Sequence, residues 1–148
     1  MPSSVPVLLI TGPVGVGKST VAAEAARLRE ANVPHALVDL AWIGQSWPIP
    51  DDDPWHERLA HRNLACIWAN FRDAGAGRLI LCRVLEDRSL LRAVVEAVPG
   101  AEVKVVRLRA LGHTRVEDHL VDTEDRAVAD VAGEVLRLVG WLGSGAGA

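Results

Sequence analysis

The chain contains no apolar run long enough to cross a bilayer and no excess of basic residues. A transmembrane helix needs about 18 or more consecutive apolar residues, whereas the run near the N-terminus, residues 5–10, is far shorter. The formal net charge is −3, and a protein that binds nucleic acid normally carries a basic patch or stripe. We therefore expect neither a membrane-embedded protein nor a nucleic-acid partner.

Cysteine is nearly absent as well. The two cysteines, Cys66 and Cys82, stand in apolar stretches and lack C-x-x-C spacing, which argues against a redox or metal pair. Residues 1–4 lack the basic segment that opens a secretory signal peptide. These observations predict buried, free thiols in a cytoplasmic protein.

The remaining composition is ordinary for one globular domain. The chain has 148 residues, of which 49% are hydrophobic and 24% are charged, and such values are typical of a folded domain rather than a disordered segment. The end of the chain contains only Gly, Ala and Ser. We predict one domain over residues 1–142 and a flexible tail over residues 143–148.

Short runs rich in β-formers alternate with helical patterns along the chain. This alternation is typical of a parallel sheet covered by helices on both faces, and it predicts an α/β three-layer sandwich with a mostly parallel, five-stranded sheet. The first strand is expected to be central, with the second and third strands on one side and the fourth on the other. The predicted strands are 5–11, 36–40, 78–85, 103–108 and 118–123, and the predicted helices are 18–31, 54–74, 89–98 and 126–142. Asp53 is the expected N-cap of the second helix, with Pro54 at its first position.

The first strand leads into a phosphate-binding motif. The pattern G-x-x-x-x-G-K-[ST] is matched by the run Gly12-Pro13-Val14-Gly15-Val16-Gly17-Lys18-Ser19. Its glycines allow successive backbone N–H groups to turn inward as an anion-binding nest, and the N-terminus of the following helix favours a phosphate at the same place. In this pattern Lys18 reaches the β- and γ-phosphates, and the Ser19 hydroxyl is a ligand of Mg²⁺.

This match is specific. At the glycine, lysine, serine and threonine frequencies of this chain, a chance match is expected on the order of once in a thousand chains. Lysine is rare here, yet one of the two lysines, Lys18 and Lys104, stands where the motif requires it. The dinucleotide pattern G-x-G-x-x-G fails because Thr20 replaces its third glycine. We therefore predict that the domain over residues 1–142 binds a nucleoside triphosphate, namely ATP with Mg²⁺.

The residues from Thr11 to Ala22, together with Leu37-Val38-Asp39 at the end of the second strand, resemble the small P-loop kinases. That group includes adenylylsulfate, gluconate and shikimate kinases, chloramphenicol phosphotransferase-like proteins and many bacterial proteins known only as ATPases. The resemblance implies that ATP and Mg²⁺ are bound and that a phosphoryl group passes to a small hydroxyl-bearing acceptor. It implies nucleotide contacts from Gly12, Pro13, Val14, Gly15, Val16, Gly17, Lys18, Ser19 and Thr20.

Two residues, Lys18 and Asp39, are the expected catalytic groups, and Asp39 joins Ser19 as an expected metal-binding residue. Members of the group often carry Asp-x-Asp after the second strand, but here the second position is Ala41. Asp39 ends a predicted strand, where open α/β sheets bind their ligands, and it is placed to act as a base or in the shell of Mg²⁺. The alternative is that its carboxylate only accepts hydrogen bonds from the N–H groups of the next loop.

The sequence departs from these kinases after the fourth strand. In the kinases a helical lid lies between the fourth and fifth strands and brings arginines over the phosphates. Here residues 111–116 occupy that place, and six extended residues reach about 20 Å at most, barely enough to return to the start of a parallel strand. We predict no helix in this segment and an open phosphate site. Arg107, Arg109 and Arg115 either replace the lid arginines or are surface charges.

Two further groups of residues lie near the predicted site. Trp42, Trp47 and Trp55 surround the loop after the second strand, and we expect them to pack in the core or as part of a lid, with the lining of an acceptor pocket as the alternative. Arg83 and Glu86 follow the third strand, and they either contact an acceptor or form a surface ion pair.

Three functions remain open. The first is a small-molecule kinase, that is, an ATP-dependent phosphotransferase. The second is a nucleotide-binding module with weak or no turnover, which the absent lid and Ala41 favour. The third is a P-loop NTPase, although no guanine-reading N-K-x-D motif is present. A zinc site at His56 and His61 is rejected, because a spacing of five places the two imidazoles on different faces of a helix.

Overall fold

The computed structural model describes residues 3–12, 17–85, 88–108, 118–121, 123 and 126–143. None of the helices within these ranges is long and apolar enough to span a membrane. In chain order the elements are β1 (Val5–Thr11), α1 (Gly17–Glu30), β2 (Ala36–Asp39), α2 (Glu57–Asp73), β3 (Leu79–Cys82), α3 (Ser89–Ala97), β4 (Ala101–Leu108), β5 (His119–Val121) and α4 (Val128–Leu138).

The strands form one sheet in the order β2-β3-β1-β4-β5. Every pairing between neighbouring strands is parallel. The first strand is therefore central, with β3 and then β2 on one side and β4 on the other, as the sequence predicted. Parallel strands that are covered on both faces are expected to be apolar throughout, and β1 is buried at six of its seven positions.

Alternate residues of β1 face opposite layers of helices. One cluster of buried side chains joins the sheet to α2 and α3 and contains Val7, Leu9, Leu64, Trp68 and Val94. The other cluster joins the sheet to α1 and α4 and contains Leu8, Ile10, Val21, Leu28, Val131 and Val135. Each large apolar side chain buried in this way stabilises the fold by about 1.5–3 kcal/mol relative to an exposed one. The predicted three-layer α/β sandwich is confirmed.

The start of α2 differs from the prediction. The helix begins at Glu57 rather than at Pro54, because His56 takes a left-handed backbone conformation with φ 55° and interrupts the helical run. Asp53 still caps the helix, since its Oδ1 accepts from Arg58 N at 3.2 Å and its Oδ2 accepts from Leu59 N at 3.0 Å. Burial raises the pKa of Asp53, but these amides and the charge of Arg58 outweigh burial and hold that pKa below its ordinary value.

Both cysteines are free, as predicted, but Cys66 is exposed and Cys82 is only partly buried. The prediction of a buried thiol was wrong for Cys66. Leu64 and Trp68 carry the buried face of α2, and at about 100° per residue a position two places after Leu64 lies on the opposite side of the helix.

The short connection after β4 is long enough to reach a parallel fifth strand, because β5 pairs only with the end of β4. Val106 is opposite His119 and Leu108 is opposite Val121, so the chain returns by two residues, about 7 Å, and not by the length of the strand. Asp118 extends the pairing, since its N–H donates to Val105 O at 2.8 Å and its Oδ2 accepts from Val105 N at 2.7 Å. The expectation that a parallel fifth strand is barely reachable is corrected. The expected absence of a helix between residues 110 and 118 concerns residues outside the described ranges.

A carboxylic acid lies inside the layer formed by α1. Glu24 has no exposed surface, and neither of its carboxyl oxygens has a hydrogen-bond partner among the described residues. Burial raises the pKa of Glu24 well above its ordinary value of 4.5, because the charged form loses its hydration without gaining a partner. A group whose pKa is raised by folding favours the folded state below its ordinary pKa and loses that contribution as pH rises through the folded value.

We predict that Glu24→Gln makes the protein more stable than wild type at pH 8 by about 1 kcal/mol or more, because an uncompensated buried charge is removed. The advantage should shrink as pH falls toward 5. Urea unfolding of both proteins between pH 5 and pH 8.5 measures this difference. Curves that run parallel over that range would contradict a buried, unpaired Glu24.

Candidate active site

The carboxyl ends of the parallel strands meet at one edge of the sheet. The register places Ile10 of β1 beside Cys82 of β3, and Cys82 beside Asp39 of β2. On the other side of β1, Thr11 lies beside Arg107 of β4. Because neighbouring strands are about 4.8 Å apart, Asp39 stands two strands, or about 10 Å, from the end of β1.

The chain leaves β1 through a contact that only glycine permits. A Cβ atom on Gly12 would lie 2.8 Å from the carbonyl oxygen of Leu108, which ends β4. A backbone oxygen in a paired strand cannot move aside as the end of a flexible side chain can. Gly12 therefore brings the end of β1 against the end of β4 at the position where the phosphate-binding motif begins.

The motif ends in the first turn of α1. The helix begins at Gly17, so Lys18 and Ser19 lie in its first turn, and no acidic residue is present in that turn. The N-terminal end of the helix dipole is thus not neutralised by a carboxylate. Thr20 is buried, with 3% of its surface exposed. Residues 13–16, which are Pro13, Val14, Gly15 and Val16, lie outside the described residues, as do the side chains of Lys18 and Ser19.

The exits of β3 and β4 are tied to the end of β1. The Thr11 Oγ1 accepts a hydrogen bond from Leu85 N at 2.9 Å, and Arg83 N donates to Ile10 O at 3.1 Å. Arg107 reaches across β1, where its Nη2 donates to Leu85 O at 3.4 Å. Arg107 is therefore a partly buried bridge over the end of the central strand and not a free surface charge. Arg109 and Arg115 fall in the part of the chain that is not described.

Asp39 begins the turn that follows β2. Its Oδ1 accepts from Ala41 N at 3.0 Å, and its carbonyl oxygen accepts from Trp42 N at 3.1 Å. The carboxylate thus takes part in the loop hydrogen bonding that was the alternative to a catalytic role. Asp39 is partly buried and lies at the carboxyl end of β2, so its catalytic and metal roles stay predictions.

A cavity of about 210 Å³ opens beside this edge, between the loop after β2, the start of α2 and the exit of β3. Its lining includes Leu40, Gly44, Gln45, Trp55, His56 and Arg83. Gly44 is required for its shape, because a Cβ there would lie 3.0 Å from the His56 carbonyl oxygen and 3.1 Å from the Ala60 Cβ. This close approach brings the loop and the helix start together around the cavity.

Arg83 is the charged residue in that lining. Its side chain is 16% exposed, and its Nη2 lies 3.6 Å from Oε1 of Glu57. Within the described chain, neither the Arg83 Nε nor the His56 Nε2 has a hydrogen-bond partner, although both atoms are buried. The expected alternatives for Arg83 were acceptor contact and a surface ion pair. The structure places it in a cavity wall with a loose ion pair. Glu86 lies outside the described residues.

The tryptophans after β2 are exposed rather than packed in the core. The exposed fractions of Trp42, Trp47 and Trp55 are 65%, 84% and 79%, so the expectation of core packing was wrong. Trp55 lines the cavity, and the alternative that the tryptophans line an acceptor pocket stays a prediction. His56, Gln45 and Gly44 were not anticipated as lining residues, because their proximity depends on a left-handed residue and a close backbone approach that sequence periodicity does not reveal.

The sequence matches no protein-family model and no curated protein. Among solved structures, the fold is similar to the hexameric APS kinase from Thiobacillus denitrificans, with a TM-score of 0.65 and 18% identity over 94% of this chain. This chain spans only 30% of the length of that kinase chain. The Deinococcus radiodurans tunicamycin resistance protein gives a TM-score of 0.64 with 19% identity, over 93% of this chain and 97% of the other.

A third structure is the Mycobacterium tuberculosis APS kinase in complex with AMPPNP and APS, with a TM-score of 0.59 and 17% identity, over 93% of this chain and 99% of that one. The fold is that of the P-loop kinases. The resemblance expected from residues 11–22 is thereby confirmed for the fold. At these identities the likeness concerns architecture alone, so the ligand and the reaction of this P-loop kinase-like chain rest on its own residues.

We predict that Gly12→Ala lowers the free energy of unfolding by about 1–3 kcal/mol, because the new methyl group overlaps the Leu108 carbonyl oxygen. The matched control is Gly77→Ala, whose Cβ would meet nothing nearer than Pro34 O at 3.9 Å and should change stability by about 0.5 kcal/mol or less. Urea unfolding of the three proteins measures the difference. Equal effects of the two substitutions would show that β1 and β4 do not approach so closely at Gly12.

Proposed function

We propose that this protein binds ATP with Mg²⁺ through Gly12 to Thr20 and transfers the γ-phosphoryl group to a small hydroxyl-bearing acceptor. The observation that supports the proposal is the position of the motif between the central strand and the start of α1. It runs from the buried central strand, through the glycine packed on Leu108 O, to a helix start without acidic residues. Strand, nest and helix N-terminus then act together on the same phosphates.

The residues of the motif would bind the phosphates and stabilise the charge that develops during transfer. The backbone N–H groups of the loop would hold the β- and γ-phosphates, and Lys18 would oppose the charge that grows on the transferring group. The Ser19 hydroxyl is a hard oxygen ligand of the kind that Mg²⁺ prefers, and Mg²⁺ commonly keeps several waters and phosphate oxygens as its other ligands. When bound, the metal would neutralise charge on the phosphate oxygens.

Asp39 would act on the acceptor side of the site. Its distance of about two strand spacings from β1 suits a carboxylate that reaches the metal through water or accepts a proton from the acceptor hydroxyl. The strand between β1 and β2 is β3, which ends in Cys82 and is followed by Arg83 and Val84. Within the described residues, β3 therefore supplies no carboxylate at this edge. We therefore assign Lys18 and Asp39 as the catalytic residues, and Ser19 with Asp39 as the metal-binding pair.

A nucleotide-binding module with weak or no turnover is the second candidate. It is favoured by Ala41, which stands where related kinases often carry a second acidic residue, and by β3, whose exit carries Arg83. In either case we propose residues 1–142 as one nucleotide-binding domain in the cytoplasm. The expectation for residues 143–148 falls, apart from Gly143, outside the described residues. A P-loop NTPase that only hydrolyses its nucleotide is the third candidate.

We predict that Lys18→Ala reduces the affinity for ATP with Mg²⁺ by about tenfold or more, because a charge-assisted contact to phosphate is lost. The chain supplies its own control, since Lys104 is the other lysine and lies exposed on β4. Lys104→Ala should bind ATP as wild type does. Titration calorimetry on the three proteins checks this, and equal affinities for wild type and Lys18→Ala would refute the assigned phosphate site.

We predict slow turnover in which hydrolysis competes with transfer, because the short connection after β4 leaves little chain to exclude water from the γ-phosphate. Phosphate release and acceptor phosphorylation are measured together, with and without a panel of hydroxyl compounds, and with Lys18→Ala as the blank. Transfer without background hydrolysis would contradict the open site. ATP binding without any consumption would instead support the nucleotide-binding module.

A further inference from the structure

The carboxyl group of Glu24 takes no part in the phosphate chemistry proposed above. Its side chain has no exposed surface, and neither of its oxygens has a hydrogen-bond partner among the described residues. In this position a carboxylate would lose its hydration without any compensation, whereas a neutral carboxylic acid loses far less. The packing around Glu24 therefore favours the protonated form.

The described elements around α1 do not compensate a charge on Glu24. The helix packs against α4, β1, β2 and β3. Arg27, one turn further along, donates from its Nε to Ala129 O at 2.9 Å, and Glu134 of α4 pairs with Arg126. The other described titratable side chains of α1 and these elements are exposed or stand at the ends of strands, and they are Arg29, Glu30, Asp39, Cys82, Asp130 and Arg137. Burial raises the pKa of Glu24, and no charge on a described residue offsets it.

Glu24 lies on the helix whose N-terminus is the proposed phosphate site. It follows Gly17, the first residue of α1, by about 10 Å along the helix axis, and helical side chains lean toward the N-terminus. Two unit charges about 10 Å apart, at an effective dielectric constant of about 20, interact strongly enough to change a binding constant by roughly tenfold. A negative charge on Glu24 would therefore oppose phosphate bound at the start of the helix.

The same charge would also act on the contact between α1 and α4. Val21 and Leu28, one turn before and one turn after Glu24, belong to the buried apolar cluster that α1 shares with α4. The helices approach closely there, since a Cβ on Gly133 would meet the Arg27 Cζ at 3.1 Å. An ionised Glu24 must either stay unhydrated in this packing or draw water between the helices. The first outcome repels the phosphates, and the second loosens the helix that binds them.

We propose that Glu24 links proton binding to nucleotide binding, so that the protein holds a nucleoside triphosphate while this side chain is neutral and binds it more weakly once the proton is lost. The inference rests on the proposed function, since it concerns the regulation of that same nucleotide site. Because the pKa of Glu24 is raised in the folded protein, affinity is highest below that raised value and falls as pH rises through it. Linkage is reciprocal, so bound nucleotide favours the neutral acid and raises its pKa further.

The first test measures the affinity for AMPPNP with Mg²⁺ by calorimetry between pH 6 and pH 9.5, in wild type, Glu24→Gln and Glu30→Gln. We expect wild type and Glu24→Gln to bind equally at pH 6, and wild type to bind about tenfold more weakly at the alkaline end. Glu30, exposed on the same helix, is the matched control, and Glu30→Gln should follow wild type. The ratio of the affinities cancels the titration of the nucleotide itself. A ratio that stays constant over this range would overturn the inference.

The second test follows Glu24 itself in the wild-type protein. The side-chain carboxyl carbons of glutamate are observed in ¹³C spectra during a pH titration, with and without AMPPNP and Mg²⁺. The Glu24 signal is the one that is missing in Glu24→Gln, or, if that variant does not fold, the one that keeps the shift of a neutral acid at pH 7. We expect its midpoint to rise by about one pH unit when nucleotide is bound, which corresponds to the tenfold change in affinity. A midpoint among those of the other glutamates, or one that nucleotide leaves unchanged, would overturn the inference.

The two tests separate this inference from the proposed function. If wild type and Glu24→Gln both bind AMPPNP with the same pH dependence, the link to Glu24 is overturned and the nucleotide site is retained. If none of the three proteins binds AMPPNP at any pH, the proposed function is overturned, and the link with it, whatever the titration of Glu24 shows.

Discussion

The burial of β1 between two strands and two layers of helices constrains every other part of this site. Because β1 pairs with β3 on one side and β4 on the other, its end is fixed by contacts that leave no room for a side chain at Gly12, whose Cβ would meet the Leu108 carbonyl oxygen at 2.8 Å. Thr11 holds the exit of β3 through Leu85 N. The start of the phosphate-binding motif is thus positioned by packing in the core, before any ligand is considered.

The charges at the sheet edge are arranged around that fixed point. Asp39 lies on the edge strand β2, two strands from β1, while the strand in between carries Cys82 and then Arg83. The Asp39 carboxylate therefore lies about two strand spacings from the end of β1, and Arg83, which lines the cavity, follows the strand between them. In the proposed function, this order would separate the motif and α1 from the loop after β2 and the start of α2, where the cavity lies.

The chain after β4 reaches the fifth strand through a short connection. β5 pairs only with the last residues of β4, from Val106 to Leu108, and Asp118 closes the ladder with hydrogen bonds of 2.7 and 2.8 Å to Val105. The fifth strand therefore joins the sheet although few residues connect it to β4. Arg107 also uses this region, since it reaches over β1 to Leu85 O and joins the exits of β3 and β4 into one unit.

The sequence by itself determined the elements and their order in the sheet. The continuous apolar run at Val5 to Thr11, the motif at Gly12 to Ser19 and the helical periodicity of α2 are local signals, because backbone propensity and side-chain period act over a few residues. Only the tertiary structure decided that Cys66 faces outward, that α2 starts at Glu57 and that His56 and Arg83 share a cavity. These features depend on the left-handed φ of His56, on the backbone approach at Gly44 and on contacts between residues far apart in the chain. Contacts between residues far apart in the chain produce no periodic pattern in the sequence, so only the folded chain brings these residues together.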